Sequence, residues 1–117
     1  MGAPDKIVLY NDGTMRLAEI KAFIDTNFDQ NLDLKHLCEK FSISNATLRR
    51  HFKSVNNRSV TDYIRECRLK QAMTLVSNRT FPVGQIAATV GYSDRTAFTR
   101  AFKKKFGKAP FSILKHG

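Results

Sequence analysis

Apolar residues recur every three or four positions along most of this 117-residue chain, which is the spacing of one face of an α-helix. Short polar stretches interrupt the period, so the chain divides into several helices. No segment alternates apolar and polar residues as a half-buried strand does. We therefore predict an all-α protein of about seven helices. The predicted helices cover residues 15–28, 34–41, 46–55, 60–78, 83–90 and 95–106, with a last short helix from Pro110.

Residues that favour helix ends flank these segments. Side-chain oxygens can accept hydrogen bonds from the free amides of a first turn, and Gly or Asn tolerates the left-handed backbone that follows a helix. Residues 1–14 contain Pro, Gly and an Asn-Asp-Gly turn signal, so we interpret them as a linker or tail. The expected caps are Asp33, Ser44 or Asn45, Ser59, Pro82 and Asp94 at helix starts, and Asn57, Gly91 and Gly107 at helix ends.

The chain contains an internal repeat of a helix, a short turn and a second helix. The second helices align at a shift of fifty residues and the preceding helices at forty-nine, so the second turn is one residue longer. Two short helices joined by a tight turn form the helix-turn-helix pattern. The matched pairs include Leu48 with Phe98, Arg50 with Arg100, Phe52 with Phe102, Lys53 with Lys103, Asn57 with Gly107, and Leu37 with Ile86.

The second helix of each repeat is apolar on one side and basic on the other. Such a face suits a helix inserted in the DNA major groove, where Arg can bond guanine and Lys can bind phosphate. On a single helix it is often only a solvated face, but here it occurs twice in matching register. The expected buried sets are Leu48, Phe52 and Val55, and Phe98 and Phe102 with Phe106 at the edge; the outward sets are Ala46, Arg49, Arg50 and Lys53, and Thr96, Thr99, Arg100, Lys103 and Lys104.

The charge of the chain is divided unevenly. Residues 1–39 hold four basic and seven acidic side chains, net −3, whereas residues 40–117 hold sixteen basic and three acidic ones, net +13. So basic a region repels itself unless a polyanion is its partner. Nucleic acid is the leading candidate, and an anionic membrane surface is the lesser one.

Other functional classes find little support in the sequence. Cys38 and Cys67 lie far apart without a CxxC motif, so we expect two buried thiols rather than a disulfide. His36, His51 and His116 form no metal-ligand spacing, and no phosphate-binding loop, nucleophile elbow or acidic pair occurs. No apolar run reaches the ~20 residues of a membrane span. We expect no enzyme activity, no metal and no cofactor.

The motifs together resemble the DNA-binding domain of the AraC/XylS family of bacterial transcription regulators. The second repeat contains IAATVGY at 86–92 and FTRAFKKKFG at 98–107, followed by Pro110; the first contains LRRHFK at 48–53 and then SVTDYIRECRLKQA at 59–72. The resemblance covers roughly residues 16–115.

This resemblance implies two homeodomain-like helix-turn-helix lobes joined by a long helix. Lobe one would span about 15–57, the linker helix about 59–78 and lobe two about 80–117, all within a DNA-binding domain of residues 15–117. Two recognition helices would enter successive major grooves, ~34 Å apart. A linker helix of ~27 Å is compatible with that spacing.

The resemblance also implies roles for individual residues. Arginine and small side chains near the start of each recognition helix would read bases, and other polar side chains would bind phosphates. The second recognition helix begins with Asp94 and Arg95, where the family often has a Ser-Gln pair. Base readout would fall to Ala46, Arg49, Arg50, Arg95, Thr96 and Arg100, and phosphate binding to Asn45, Lys53, Thr99, Lys103 and Lys104.

The sequence thus predicts a cytoplasmic, nucleoid-associated domain that binds promoter or operator DNA sequence-specifically. It would be the C-terminal part of a longer regulator, with a stand-alone regulator of this size as the alternative. Alone it would be a monomer, because every apolar face has a core role; an upstream domain would make it a dimer, and RNA polymerase would be a further partner. The alternative is an RNA- or single-strand-binding module, which needs aromatic rings exposed for stacking. A protein-interaction module is a third interpretation, but it does not require two basic faces.

Overall fold

The computed structural model describes residues 14–79 and 81–116, with side chains from residue 17 to 113 within these ranges, and all the regular structure described is α-helical. The predicted all-α fold of about seven helices is confirmed. The expected tail, residues 1–14, lies outside the described residues except for its last position. The described helices are α1 (Thr14–Asn27), α2 (Leu34–Phe41), α3 (Asn45–Asn56), α4 (Val60–Asn78), α5 (Val83–Thr89), α6 (Arg95–Phe106) and α7 (Pro110–His116).

The helix boundaries follow the sequence signals closely. The predicted ends of α2, α4 and α6 agree with the structure, and those of α1, α3 and α5 differ by one residue at most. Asp33 Oδ1 accepts a hydrogen bond from His36 N at 2.8 Å, and Ser59 Oγ accepts one from Asp62 N at 3.0 Å. Asn57 closes α3 in the left-handed conformation, with φ 61°. The internal repeat is confirmed, because α3 and α6 are fifty residues apart at both ends.

The first compact unit contains residues 14–27 and 32–64 of the described chain. Helix α1 packs on α2 and α3, and α2 packs on α3. The ring of Phe23 meets that of Phe41 edge-on at 5.8 Å, and the ring of Phe52 lies 5.7 Å from that of Tyr63. The buried apolar residues of this unit are Leu17, Ile20, Ile24, Leu32, Leu37, Leu48, Phe52, Val60 and Ile64.

The second compact unit contains residues 28–31 together with the described residues from 65 onward. Helix α6 packs between α5 and α7. As predicted, Phe98 and Phe102 are fully buried, and Phe106 is half-buried at the edge of the core. The Tyr92 ring covers this core, 5.3 Å from Phe98. The other buried members are Leu69, Ala72, Val76, Val83, Ile86, Ala87 and Val90.

A half-buried cation, Arg68, holds the segment 28–31 against the rest of the second unit. Its Nε donates to the carbonyl oxygen of Phe28 at 2.6 Å, and its Nη2 donates to that of Gln30 at 3.0 Å. The guanidinium also lies 5.8 Å from the ring centre of Tyr92. Burial lowers the pKa of Arg68, while the neighbouring Tyr92 and Asp29 oppose that shift. Burial likewise raises the pKa of Tyr92, and nearby Arg65 and Arg68 oppose it.

Two glycines with positive φ allow a matched test of this packing. Gly91 has φ 102°, and a Cβ there would stand 2.9 Å from both Arg68 Nε and the carbonyl oxygen of Phe28. Gly107 has φ 82° and no atom within 4 Å of the same position. We expect Gly107→Ala to cost about 1 kcal/mol from backbone strain alone. Gly91→Ala adds steric overlap with backbone and should cost about 3 kcal/mol.

Urea denaturation followed by circular dichroism measures both costs. Equal losses of stability in the two variants would show that the close approach of Arg68 and Phe28 to Gly91 contributes nothing.

The structure contradicts several expectations about burial. Val55 was expected in the core but is 60% exposed, because the helical period fixes the direction of a side chain and not whether a neighbour covers it. Neither Cys38 nor Cys67 forms a disulfide, as expected, but both are half-buried rather than buried. Burial, with a smaller effect of Glu39, raises the pKa of Cys38. The premise for a monomer, that every apolar face has a core role, fails at Val55 and at Phe111, which is 63% exposed.

Candidate nucleic-acid interface

Helix α3 is fixed in the first unit by its buried side, so its opposite side faces solvent. Leu48 and Phe52 are fully buried. The helix starts at the Ser44 cap, whose Oγ accepts a hydrogen bond from Thr47 N at 3.2 Å and lies 2.8 Å from Thr47 Oγ1. Asn45, the alternative cap, is instead the first helical residue. The predicted site residues of this helix are all exposed: Asn45, Ala46, Arg49, Arg50 and Lys53.

An open groove of about 610 Å³ collects four of these outward residues in the first unit. One wall is the exposed face of α3, and the other is the start of α4 with the first residue of α2. The amides at the start of α4 carry the positive end of a 19-residue helix. The groove therefore combines cationic side chains with a positive helix end. It is lined by Ala46, Arg49, Arg50 and Lys53, and by Leu34, Ser59, Val60 and Thr61.

Helix α6 is held in the second unit in the same way. Phe98 and Phe102 anchor it, and Asp94 caps it by accepting a hydrogen bond from Thr96 N through Oδ1 at 2.9 Å. Lys105 forms an ion pair with Glu66, with Nζ and Oε2 3.7 Å apart. Of the predicted site residues here, Arg95, Thr96, Arg100, Lys103 and Lys104 are exposed and Thr99 is half-buried.

The predicted base reader Arg95 leans towards the neighbouring helix. Its Cδ and Nη1 both lie 4.0 Å from the position that a Cβ on Gly84 would take, at the first turn of α5. The arginine side chain therefore lies beside the start of α5.

A smaller groove in the second unit repeats part of the first. Its volume is about 330 Å³, and it lies between the end of α6 and the start of α7. Lys103 in this groove is fifty residues from Lys53 in the larger one, and Ala109 is fifty from Ser59. Sequence reasoning missed Lys108 here and Thr61 in the first unit, because both follow the recognition helices rather than lie on them. The smaller groove is lined by Lys103, Gly107, Lys108, Ala109 and Ser112.

The outward cations have no protein partner in the described chain. Within residues 17–79 and 81–113, no hydrogen bond or ion pair engages the side chains of Arg49, Arg50, Lys53, Arg100 or Lys103. Unpaired cations on a convex helix face are available for an anionic ligand without the cost of breaking an existing ion pair. The cations of each groove can bind the phosphates of a polyanion, and the exposed arginines of α3 and α6 can bond base edges.

Where the structure describes the chain, His, Cys, Asp and Glu nowhere form a group of three or more that could hold a metal ion. Of the helices it describes, none combines the length and apolar character that a bilayer crossing needs.

Comparison with known proteins gives a consistent family. A family model described as a helix-turn-helix domain matches residues 37–116. The Msm operon regulatory protein of Streptococcus mutans is 31% identical over 97 residues, 83% of this chain and 35% of that protein. The regulatory protein SoxS of Escherichia coli K12 is 31% identical over 94 residues, 80% of this chain and 88% of that protein. The chain therefore spans about a third of the first relative and most of the second.

A solved structure agrees with the fold. The DNA-binding domain of AdpA, a global transcriptional factor crystallised in complex with a target DNA, superposes with a TM-score of 0.80 at 22% identity, covering 86% of this chain and 90% of that one. At this level of identity the likeness concerns the fold. Together with the match over residues 37–116 and the likeness to SoxS, it shows that the chain belongs to the AraC/XylS family of transcription regulators and carries the helix-turn-helix domain of that family.

Proposed function

We propose that this chain binds double-stranded DNA sequence-specifically as the DNA-binding domain of a bacterial transcription regulator. The observation that carries the proposal is the repeated recognition helix. Helices α3 and α6 each bury an apolar side and expose unpaired cations, in the same register fifty residues apart. A single basic helix can be an ordinary solvated surface. Two in matching register, each preceded by a turn and a shorter helix, favour two major-groove contacts.

Duplex DNA fits this surface better than single strands do. Proteins that bind single strands stack bases on exposed aromatic rings. Here Phe52, Phe98 and Phe102 are fully buried, so the recognition helices expose cations and small side chains to solvent. The crystallised AdpA domain, which has the same fold, was solved with a target DNA. A protein-interaction module would not need both outward faces to be basic.

The proposed roles follow the exposure of the side chains. In α3, Arg49 and Arg50 would bond base edges, and Ala46 would allow close approach. In α6, Arg100 and Thr96 would read bases together with Arg95.

The remaining polar side chains of these helices would bind the backbone. Lysines act as point charges on phosphate, and they are joined by polar residues near each helix start. These proposed phosphate contacts are Asn45, Lys53, Thr99, Lys103 and Lys104, and the grooves add Lys108.

The wider organisation is proposed from the family. We interpret residues 1–14 as a tail or linker, about 15–57 as lobe one, about 59–78 as the linker helix and about 80–117 as lobe two. An upstream domain would supply sensing and dimerisation, since the chain spans 35% of the Msm operon regulator. RNA polymerase would be a further partner. The setting would be the bacterial cytoplasm, on the nucleoid, and the domain would act without catalysis.

Selection of bound sequences from a random duplex library tests this function. We expect the wild type to enrich two short boxes about 10 base pairs apart. Arg50→Ala should lose preference in one box and Arg100→Ala in the other, each by about 1–3 kcal/mol of base discrimination. Arg79→Ala, which removes the same charge from an exposed residue after α4, is the matched control and should leave both boxes unchanged.

Two results would contradict the proposal. If no sequence is enriched although duplex binding is salt-sensitive, the chain is a non-specific basic module. If single strands of the same sequences compete as well as the duplex, the single-strand alternative replaces it.

A further inference from the structure

The capping residue of α6 carries a negative charge on a surface that otherwise carries positive ones. Residues 65–117 contain only two carboxylate side chains, Glu66 and Asp94. Glu66 is paired with Lys105 at 3.7 Å. Asp94 is exposed, at the N-terminal end of the helix that we propose enters the second major groove. Its position is the part of a recognition helix that contacts base edges.

Only one of the two carboxylate oxygens accepts a hydrogen bond within the described residues. Asp94 Oδ1 accepts the amide of Thr96 at 2.9 Å and so caps the helix. No hydrogen bond or ion pair within the described residues engages Oδ2. No ion pair within the described residues joins it to the adjacent Arg95, whose Cδ and Nη1 lie beside Gly84. An unpaired carboxylate oxygen therefore stands beside the outward face of α6.

The first unit has a neutral side chain in the same place. Ser44 is fifty residues before Asp94 and caps α3. Its hydroxyl is engaged by Thr47, with the amide at 3.2 Å and Oγ1 at 2.8 Å. The two recognition helices thus start with different chemistry, one with a satisfied hydroxyl and one with a free anionic acceptor.

A carboxylate in a major groove discriminates strongly among bases. Cytosine presents an amino donor at N4, which an Asp oxygen can accept. Guanine presents two acceptors, N7 and O6, and thymine presents O4, so these edges repel the carboxylate. Adenine presents an acceptor, N7, beside its N6 donor, so it is a poorer partner for a carboxylate than cytosine is. Phosphates also repel the group, so only a base donor offsets its charge.

Resting on the proposed duplex-DNA function, we infer that Asp94 is a specificity-determining residue that selects cytosine, and excludes guanine, at one position of the second box. It acts both by accepting from cytosine and by repelling the acceptor-rich edges. The first box lacks this preference because Ser44 offers no anionic oxygen.

The test compares Asp94→Asn with wild type in a random duplex selection, followed by affinities for the cytosine site and its guanine variant. Asn caps a helix as well as Asp does, so α6 should be retained, and matched thermal unfolding midpoints check this. Asn also donates, so we expect the preference for cytosine over guanine to fall by about fivefold or more. Asp33→Asn is the matched control, because Asp33 caps α2 through the same kind of bond, at 2.8 Å, outside the recognition helices.

The reciprocal variant Ser44→Asp tests the same inference in the first unit. It should create a preference for cytosine in the first box, about 10 base pairs from the original one. If Asp94→Asn fails to fold, Ser44→Asp alone decides, and absence of a new cytosine preference overturns the inference.

The outcomes separate this inference from the function on which it rests. A wild type that enriches no sequence defeats the proposed function itself. A wild type that enriches two boxes, with an Asp94→Asn variant that keeps the full cytosine preference, leaves the function and overturns the role of Asp94. Equal loss of preference in Asp33→Asn would also overturn it, since the effect would then be one of net charge.

Discussion

Alanine in place of Phe102 is expected to destabilise the second unit by about 3–5 kcal/mol, since the substitution deletes a fully buried aromatic ring and leaves a cavity. The Phe102 ring packs 5.7 Å from Phe98 and 4.6 Å from Phe106, so its loss removes contacts along the whole inward side of α6. Small domains are stable by about 5–15 kcal/mol, so this one change removes a large part of the total. Urea denaturation followed by circular dichroism gives the value.

Phe111→Ala is the matched control for this measurement. It makes the same chemical change in the same unit, but Phe111 is 63% exposed. Its effect on the free energy of unfolding should stay within about 0.5 kcal/mol. A loss of unfolding free energy in Phe111→Ala as large as that in Phe102→Ala would show that burial of the apolar side of α6 is not what stabilises the second unit.

DNA affinity is expected to depend steeply on salt. The proposed phosphate ligands and helix amides make roughly 6–10 contacts, and each releases condensed counterions when it forms. The association constant should therefore fall by about 10³–10⁵ between roughly 50 and 200 mM salt. Titration of a fluorescent duplex at several salt concentrations gives the slope of log affinity against log salt.

Two lysines on one helix provide an internal comparison for that slope. Lys103 lines the groove of the second unit and is exposed, whereas Lys105 two residues later is paired with Glu66 at 3.7 Å. Lys103→Ala should make the slope shallower by about 0.9, and Lys105→Ala should change it less. A flat salt response in the wild type, or equal effects of the two substitutions, would contradict the proposed phosphate contacts.

Local sequence signals were sufficient to predict the helices. The boundaries of α2, α4 and α6, and the caps Asp33 and Asp94, depend on hydrogen bonds and backbone preferences within a few residues of one another. The fifty-residue repeat added a long-range check, because two copies of one pattern must fold alike. The outward direction of Arg49, Arg50 and Arg100 could be predicted from the helical period alone, because that period fixes which side of a helix each residue lies on.

The helical period could not predict which side chains a neighbouring element covers, or which side chains pair with one another. Val55 has the direction of a core residue but is 60% exposed, and Thr99 is half-buried among the outward residues of α6. Both depend on which neighbouring surface lies opposite, and the helical period carries no information about that surface.

By itself, then, the sequence determined the helices, their caps and the two basic faces, since these follow from contacts within one or two turns. Only the tertiary structure decided how residues far apart in the chain meet. Arg68 looks like one more cation of α4, yet it binds the carbonyl oxygens of Phe28 and Gln30, 40 and 38 residues away. Lys105 forms an ion pair with Glu66, whereas Lys103 lines a groove and is exposed to solvent. Such pairings form when the chain compacts, and no local pattern specifies them.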